Sequence, residues 1–254
     1  MMTKYFDFPP NVQLDIPITK VKLKNNENCT LSDQKLLDGS TIQSIRIKAI
    51  IKQETANIAL FQSADESYVE IYVIEVIIQS NAYYKNYKLM SNLLHKLLPH
   101  HCMVVTKSDD EQYANFSLAT KAISKNQNKL RVVQKEYFSN QIESKNSQFI
   151  EALHYKNADK HDLKAFYQYY IQVLQNYNLM DATQNFKLRT YEVTEQMLEV
   201  QDRIDQYETQ INKSVKELKS TTQMSEKVRI NSDIHTLKLK VQELKNTLSN
   251  YGKD

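Results

Sequence analysis

The sequence predicts a mixed α/β body followed by an antiparallel coiled-coil hairpin. Three observations carry that expectation. Strand-like and helix-like segments alternate through the first half, all four prolines lie at or before Pro99, and two apolar stripes with intervals of three and four occupy the last quarter. The expected division is an α/β domain over 1–142, connecting helices that pack on it over 143–186, and the hairpin over 187–254.

Phe6-Asp7-Phe8-Pro9-Pro10 through Ile16-Pro17 reads as an extended lead-in, since a residue before proline is pushed out of the helical region. LSDQKLLDGS, 31–40, reads as a short helix with Gly39 as a C′ residue. IQSIRIKAII, 42–51, alternates apolar with polar or basic residues, as a half-buried strand does. IALF, 58–61, fits a hairpin strand, and VEIYVIEVII reads as a fully buried one by its β-branched content. Leu89, Met90, Leu93, Leu94, Leu97 and Leu98 then recur at helical spacing and are stopped by Pro99. HCMVVTK is a further strand. NFSLATKAI and LRVVQKEYF read as a final pair joined by a polar loop at 124–129.

HDLKAFYQYYIQVLQNY, 161–177, is an aromatic-rich helix expected to pack back on the sheet. Beyond Phe186, Met197, Val200, Ile204, Tyr207, Ile211, Val215 and Leu218 form one stripe. Ile230, Ile234, Leu237, Val241, Leu244, Leu248 and Tyr251 form another. A single stripe of this kind must be buried, and two joined by the polar KSTTQMSE bury each other. Ile204, Tyr207, Ile211, Ile234, Leu237, Val241 and Leu244 are therefore the expected seam, or the surface through which two copies associate as a homodimer. The first helix is acidic between Glu192 and Glu208 and the second basic from Lys227 to Lys240, which favours intramolecular antiparallel pairing.

Composition narrows the function classes. Net charge is +3 over 254 residues, so nothing global demands a nucleic-acid or membrane partner. With only Gly39 and Gly252, the chain has no glycine-rich loop to cradle phosphate, which excludes Walker and Rossmann sites. Cys29 and Cys102 stand at no ligand or disulfide-framework spacing. No segment has the apolar length of a membrane span, so a cytoplasmic protein without cofactor or metal is expected.

Several fragments in order resemble a bacterial family of unknown function, DUF4391. FPPNVQLDIPITK resembles its opening, and Thr55, Asn57 and Ile58 fall on its T-I-N-I pattern. Glu70 and Glu75 of VEIYVIEVII fall on its two strand glutamates, His101 of LLPHHCMVV on its histidine, and Tyr167 of DLKAFYQYYIQVL on its closing tyrosine. The resemblance covers about 6–180. Where the family pattern carries lysines, this chain has Ile77 and Gln79 after the glutamate strand, and Ile50 and Ile18 elsewhere. The resemblance implies a gene neighbourhood of helicases and DNA methyltransferases in phage-defence or restriction-like clusters.

Glu75 raises the nuclease question. In a restriction-endonuclease-like core, an acid and an E-x-K strand hold Mg²⁺ while the lysine orients water. Helix, strands, helix, strand is a compatible order. Glu75 would be the carboxylate, with Asp65 or Glu54 as the second acid, but Gln79 and Ile77 stand where the remaining groups belong. A sheet-interior strand is the preferred reading, with Glu75 needing a cation such as Arg46 or Lys48 beside it. His100 and His101 point to opposite faces of a strand, which argues against a metal site. Tyrosines from Tyr167 to Tyr177 are core packing before they are a stacking platform for bases. Arg46, Lys48, Lys121, Lys125, Lys129 and Arg131 are the candidate nucleic-acid contacts, against the alternative of a solvated sheet edge. The functional expectation is a non-catalytic adaptor that binds a larger helicase, methyltransferase or nuclease, with DNA contact as an additional possibility. A Mg²⁺-dependent nuclease and a free-standing nucleic-acid-binding module are the alternatives.

Overall fold

The computed structural model describes residues 5–124, 131–142 and 147–251. It separates into two compact units, Met1–Tyr177 and Asn178–Asp254.

The first unit is a six-stranded mixed sheet with helices on both faces. In chain order its elements are β1 (Gln13–Pro17), α1 (Lys20–Lys24), α2 (Leu31–Asp38), β2 (Ile42–Lys52), α3 (Gln53–Ala56), β3 (Phe61–Gln62), β4 (Ser67–Tyr68) and β5 (Glu70–Ile78). There follow α4 (Tyr83–Leu97), β6 (His101–Ser108), β7 (Ala114–Ile123), β8 (Arg131–Phe138), α5 (Ser147–Leu153) and α6 (Leu163–Thr183), the last running past the end of the unit. The sheet order is β1-β2-β5-β6-β7-β8, with β3 and β4 forming a separate small ribbon. All neighbouring pairs are antiparallel except β5–β6, which α4 joins as a parallel crossover. A parallel pair cannot be closed by a tight turn, so the apolar helix between Tyr83 and Leu97 is what permits it.

Strand alternation sorts the core into two layers. Ile74, Val76, Cys102 and Val104 face α4, whose Met90, Leu93, Leu94 and Leu97 complete a cluster with Ile42 and Ile45. Each such side chain taken from water contributes about 1.5–3 kcal/mol. On the other face, Tyr167 of α6 reaches into the sheet: its hydroxyl accepts from Ala119 N at 2.8 Å and lies 2.8 Å from Cys102 O, to which it donates. Phe6 stacks on Phe8 with ring centroids 5.2 Å apart and meets Phe116 and Tyr170 edge-on or tilted. The expected aromatic packing of this helix on the sheet is thus what the fold contains.

Three local expectations change. Gly39 ends α2 with φ −61° and ψ 151°, extended backbone open to any residue, so its freedom at positive φ is unused. The helix start is instead specified by a Thr30–Asp33 capping box. The IALF segment gives only the two-residue β3, because Gln53–Ala56 turns as a short helix that Asn57 closes at φ 53°. The lead-in supplies a full edge strand, β1, exposed along its length.

The second unit contains α7 (Tyr191–Ser220) and α8 (Met224–Tyr251), separated by three residues and packed antiparallel. The Thr190 side chain caps α7 by accepting from Val193 N. Met197, Ile204, Val241 and Leu248 are buried with Leu179 of α6, flanked by Val200, Tyr207, Ile211 and Leu244. Ile230 and Ile234 are also buried, and Leu237 half-buried. Lys245 pairs with Glu208 at 2.7 Å, and Lys240 lies over the Tyr207 ring, joining basic α8 to acidic α7. Arg229 departs from that pattern and pairs with Glu226 on its own helix.

Candidate functional site

The antiparallel register sets Arg46 of β2 opposite Glu75 of β5, and the parallel register sets Glu75 beside Val105 of β6. Lys107, two residues on, faces the same side as Val105. Its Nζ lies 3.3 Å from Glu75 Oε2 and 3.4 Å from Glu111 Oε1. Arg46 turns the other way, to Asp15 of β1: Nε donates to Oδ1 at 2.7 Å and Nη2 to the backbone oxygen at 2.9 Å. Lys48 Nζ adds a third bond to the same carboxylate at 2.9 Å. A charged row therefore crosses four strands, alternating in sign from Asp15 through Arg46 and Glu75 to Lys107.

Its two ends differ in exposure. Asp15 is open to solvent, and the Arg46 and Lys48 bonds hold its carboxyl down at about 2. Glu75 is 7% exposed, and a carboxylate so enclosed needs the ammonium beside it. The expected partner, Arg46 or Lys48, is replaced by Lys107, because Asp15 occupies both. Lys107 lies 32 positions beyond Glu75, and no local motif connects them; only the α4 crossover does.

Asp65 is not brought to this row. Its carbonyl accepts from Ile123 N at the far end of β7, whereas Glu75 stands level with Val105 and Phe116. Gln79 follows β5, its N–H bonded to Thr41 O. The nearby Asp109 is engaged as well: its Oδ1 accepts from Ser80 N at 2.9 Å, and its Oδ2 from Gln43 Nε2 at 2.6 Å. Among the described residues, no three His, Cys, Asp or Glu side chains gather to hold a metal ion.

The basic candidates do not form one surface. Lys121 is buried at 1% exposure, and its Nζ donates to Leu98 O at 2.7 Å and His100 O at 2.6 Å. It closes the carbonyls left open where α4 ends before β6, so it cannot follow a phosphate backbone; burial lowers its pKa. Lys125 and Lys129 fall outside the described residues. Arg131 opens edge strand β8, half-buried.

The family model for a domain of unknown function, DUF4391, matches residues 6–241. The chain belongs to the DUF4391 family. That span includes α7 and most of α8, beyond the 6–180 over which the fragments resemble it. No curated protein and no solved structure matches the chain.

Most of the DUF4391-like positions serve the fold. Asn57 supplies a left-handed residue, and Ile58 is fully buried. His101 is sandwiched against Tyr68, ring centroids 3.8 Å apart, with Tyr167 at 5.0 Å. His100 lies on the opposite face near Tyr72, with Nε2 3.9 Å from Glu70. Glu75 is the exception: it is a buried charge, paired with Lys107.

Proposed function

We propose that this DUF4391 protein is a non-catalytic adaptor of a bacterial anti-phage or restriction-like DNA-targeting complex. The observation that supports it most is the helical pair. By helix geometry α7, with 30 residues, extends about 45 Å, yet its seam uses only one stripe of each helix. The remaining faces are exposed and include Met224, Val228 and Leu239, each more than half accessible. Large accessible apolar side chains on a helical pair suit docking to a larger helicase, methyltransferase or nuclease. Co-expression with neighbouring genes followed by size-exclusion chromatography tests this. A large partner should co-elute, and removing 187–254 or substituting Val228→Asp with Leu239→Asp should release it. Elution of the chain alone at all concentrations refutes the reading.

A second reading has one specific observation behind it. Glu75 and Lys107 place a carboxylate and an ammonium side by side on adjacent parallel strands, the pairing a restriction-endonuclease-like core needs. The succession α2, β2, β5, α4, β6 is compatible with that topology. On this reading the protein cleaves DNA with Mg²⁺, and cleavage disappears in Glu75→Ala and in Lys107→Met alike. Intact DNA at protein excess eliminates it.

A further inference from the structure

A trough of about 620 Å³ opens between α4, α2 and edge strand β8, away from the charged row. This volume lies in the range of small-molecule sites, roughly 300–1,000 Å³. Its walls are aliphatic: Leu36 of α2, Leu89 and Leu93 of α4, and Val132 and Val133 of β8. Leu89 and Val132 are 52% and 44% exposed there.

Its polar groups sort to two places. Lys96 and Arg131 line both this trough and a smaller polar hollow of about 370 Å³ beside it, so both cations stand where the two join. Thr30 and Ser32, at the start of the eight-residue α2, lie in the same wall. Lys96 is tied to Asp33, whose carboxylate is also held by the Thr30 cap. The Arg131 guanidinium has no hydrogen-bond or ion-pair partner among the described residues, and a half-buried guanidinium is suited to take a phosphate or carboxylate as a fork. Glu136 also faces the trough, and burial raises its pKa.

A ligand that satisfies this has an anionic group and a flat or apolar body. We propose that the trough binds a nucleoside phosphate, its phosphate on Arg131 and Lys96 and its base between the leucine and valine side chains. Recognition is by side chains alone, which suits a chain without glycine-rich loops, and it is binding rather than hydrolysis. A free nucleotide and the 5′ end of a strand share this chemistry. The inference stands apart from the adaptor reading, because it is measured on the full chain alone.

Isothermal titration of the full-length protein with AMP, GMP, CMP and UMP tests it, with adenosine, inorganic phosphate, and a tetradeoxynucleotide with and without its 5′-phosphate as further probes. At least one nucleoside monophosphate or the phosphorylated strand should bind at micromolar concentration. Adenosine, inorganic phosphate and the unphosphorylated strand should each bind at least ten-fold more weakly. Arg131→Gln should lose about ten-fold or more, Arg131→Lys less, and Leu89→Glu, at a half-exposed position the fold tolerates, should abolish binding. Tighter binding of the phosphorylated strand than of any mononucleotide assigns the site to strand ends, and the reverse assigns it to free nucleotide. Affinities weaker than millimolar for every phosphorylated probe overturn the proposal. So does binding that Arg131→Gln and Leu89→Glu leave unchanged, or inorganic phosphate binding as tightly as the nucleotides.

Discussion

Acid should begin to destabilise the first unit above the range in which its carboxylates titrate, because two histidines are enclosed as neutral rings. His95 and His101 are each 1% exposed. His95 Nε2 meets Ser117 Oγ at 3.1 Å, but its Nδ1 and both nitrogens of His101 have no hydrogen-bond partner among the described residues. Burial, with the Lys121 ammonium nearby, pushes the two pKa values down to about 3 and about 2, from an ordinary 6.5. The unfolded chain therefore binds protons below pH 6.5 that the folded chain refuses. The stability contributed by the neutral rings is complete above 6.5 and lost as pH falls toward the folded values. Each ring contributes about 1.4 kcal/mol per pH unit in that window, so the pair gives a slope of about 2.7 kcal/mol per unit. By about pH 4.5 the loss is roughly 5 kcal/mol, comparable with the total stability of a small domain, about 5–15 kcal/mol. His100, lowered chiefly by burial, adds in the same direction. The lowered aspartates Asp15, Asp109 and Asp110 act only below about pH 4, outside the window. Urea midpoints followed by tyrosine near-ultraviolet dichroism between about pH 7 and 4.5 measure the slope. His101→Phe keeps an aromatic ring between Tyr68 and Tyr167 and should lower the slope by about 1.4 kcal/mol per unit. Stability that is flat across this window, or a slope unchanged by His101→Phe, would refute the reasoning.

Three other substitutions separate structural from surface roles. Lys121→Met should cost about 2–4 kcal/mol by stripping Leu98 O and His100 O of their donor, read from the urea midpoint. Tyr167→Phe removes a hydroxyl that joins β6 to β7 and should cost about 1–3 kcal/mol in the same assay. Val241→Asp places a charge in the helical seam; it should abolish much of the far-ultraviolet helix signal of the second unit while the tyrosine dichroism of the first survives.

The layered fold was legible wherever one face of an element had to be buried. Period-two alternation marked β2, β-branched density marked β5, and the leucine spacing marked α4 with its stop at Pro99. The helical pair was legible because each stripe has to find another. What escaped was set by single residues acting locally. Thr30 and Asp33 specify the start of α2, and Asn57 at positive φ diverts the chain from the expected hairpin strand. Lys121 escaped for a different reason. On a strand, lysine reads as solvent-facing, and only the meeting of α4, Pro99 and β6 creates the two open carbonyls that draw it inward.

The charged row shows why the site was harder to read than the fold. The sequence marks Glu75 as anomalous, a carboxylate within an apolar run, and physical chemistry requires a cation beside it. It does not say which, because the choice depends on competition. Arg46 stands directly across in register, but Asp15 on the edge strand engages both Arg46 and Lys48 in solvent, where holding the ions costs little desolvation. Glu75 is left to the one lysine that the parallel crossover returns to the same face. A search for the lysine along the sequence after the glutamate therefore finds Gln79 and stops, while the fold supplies Lys107 from the next strand. Lys107 holding Glu75 in place and Lys107 orienting a water for Glu75 are the same geometry. A double-mutant cycle tests the first: if Glu75→Gln with Lys107→Met is more stable than either single variant, the two groups hold each other as an ion pair, and cleavage assays on the same variants test the second.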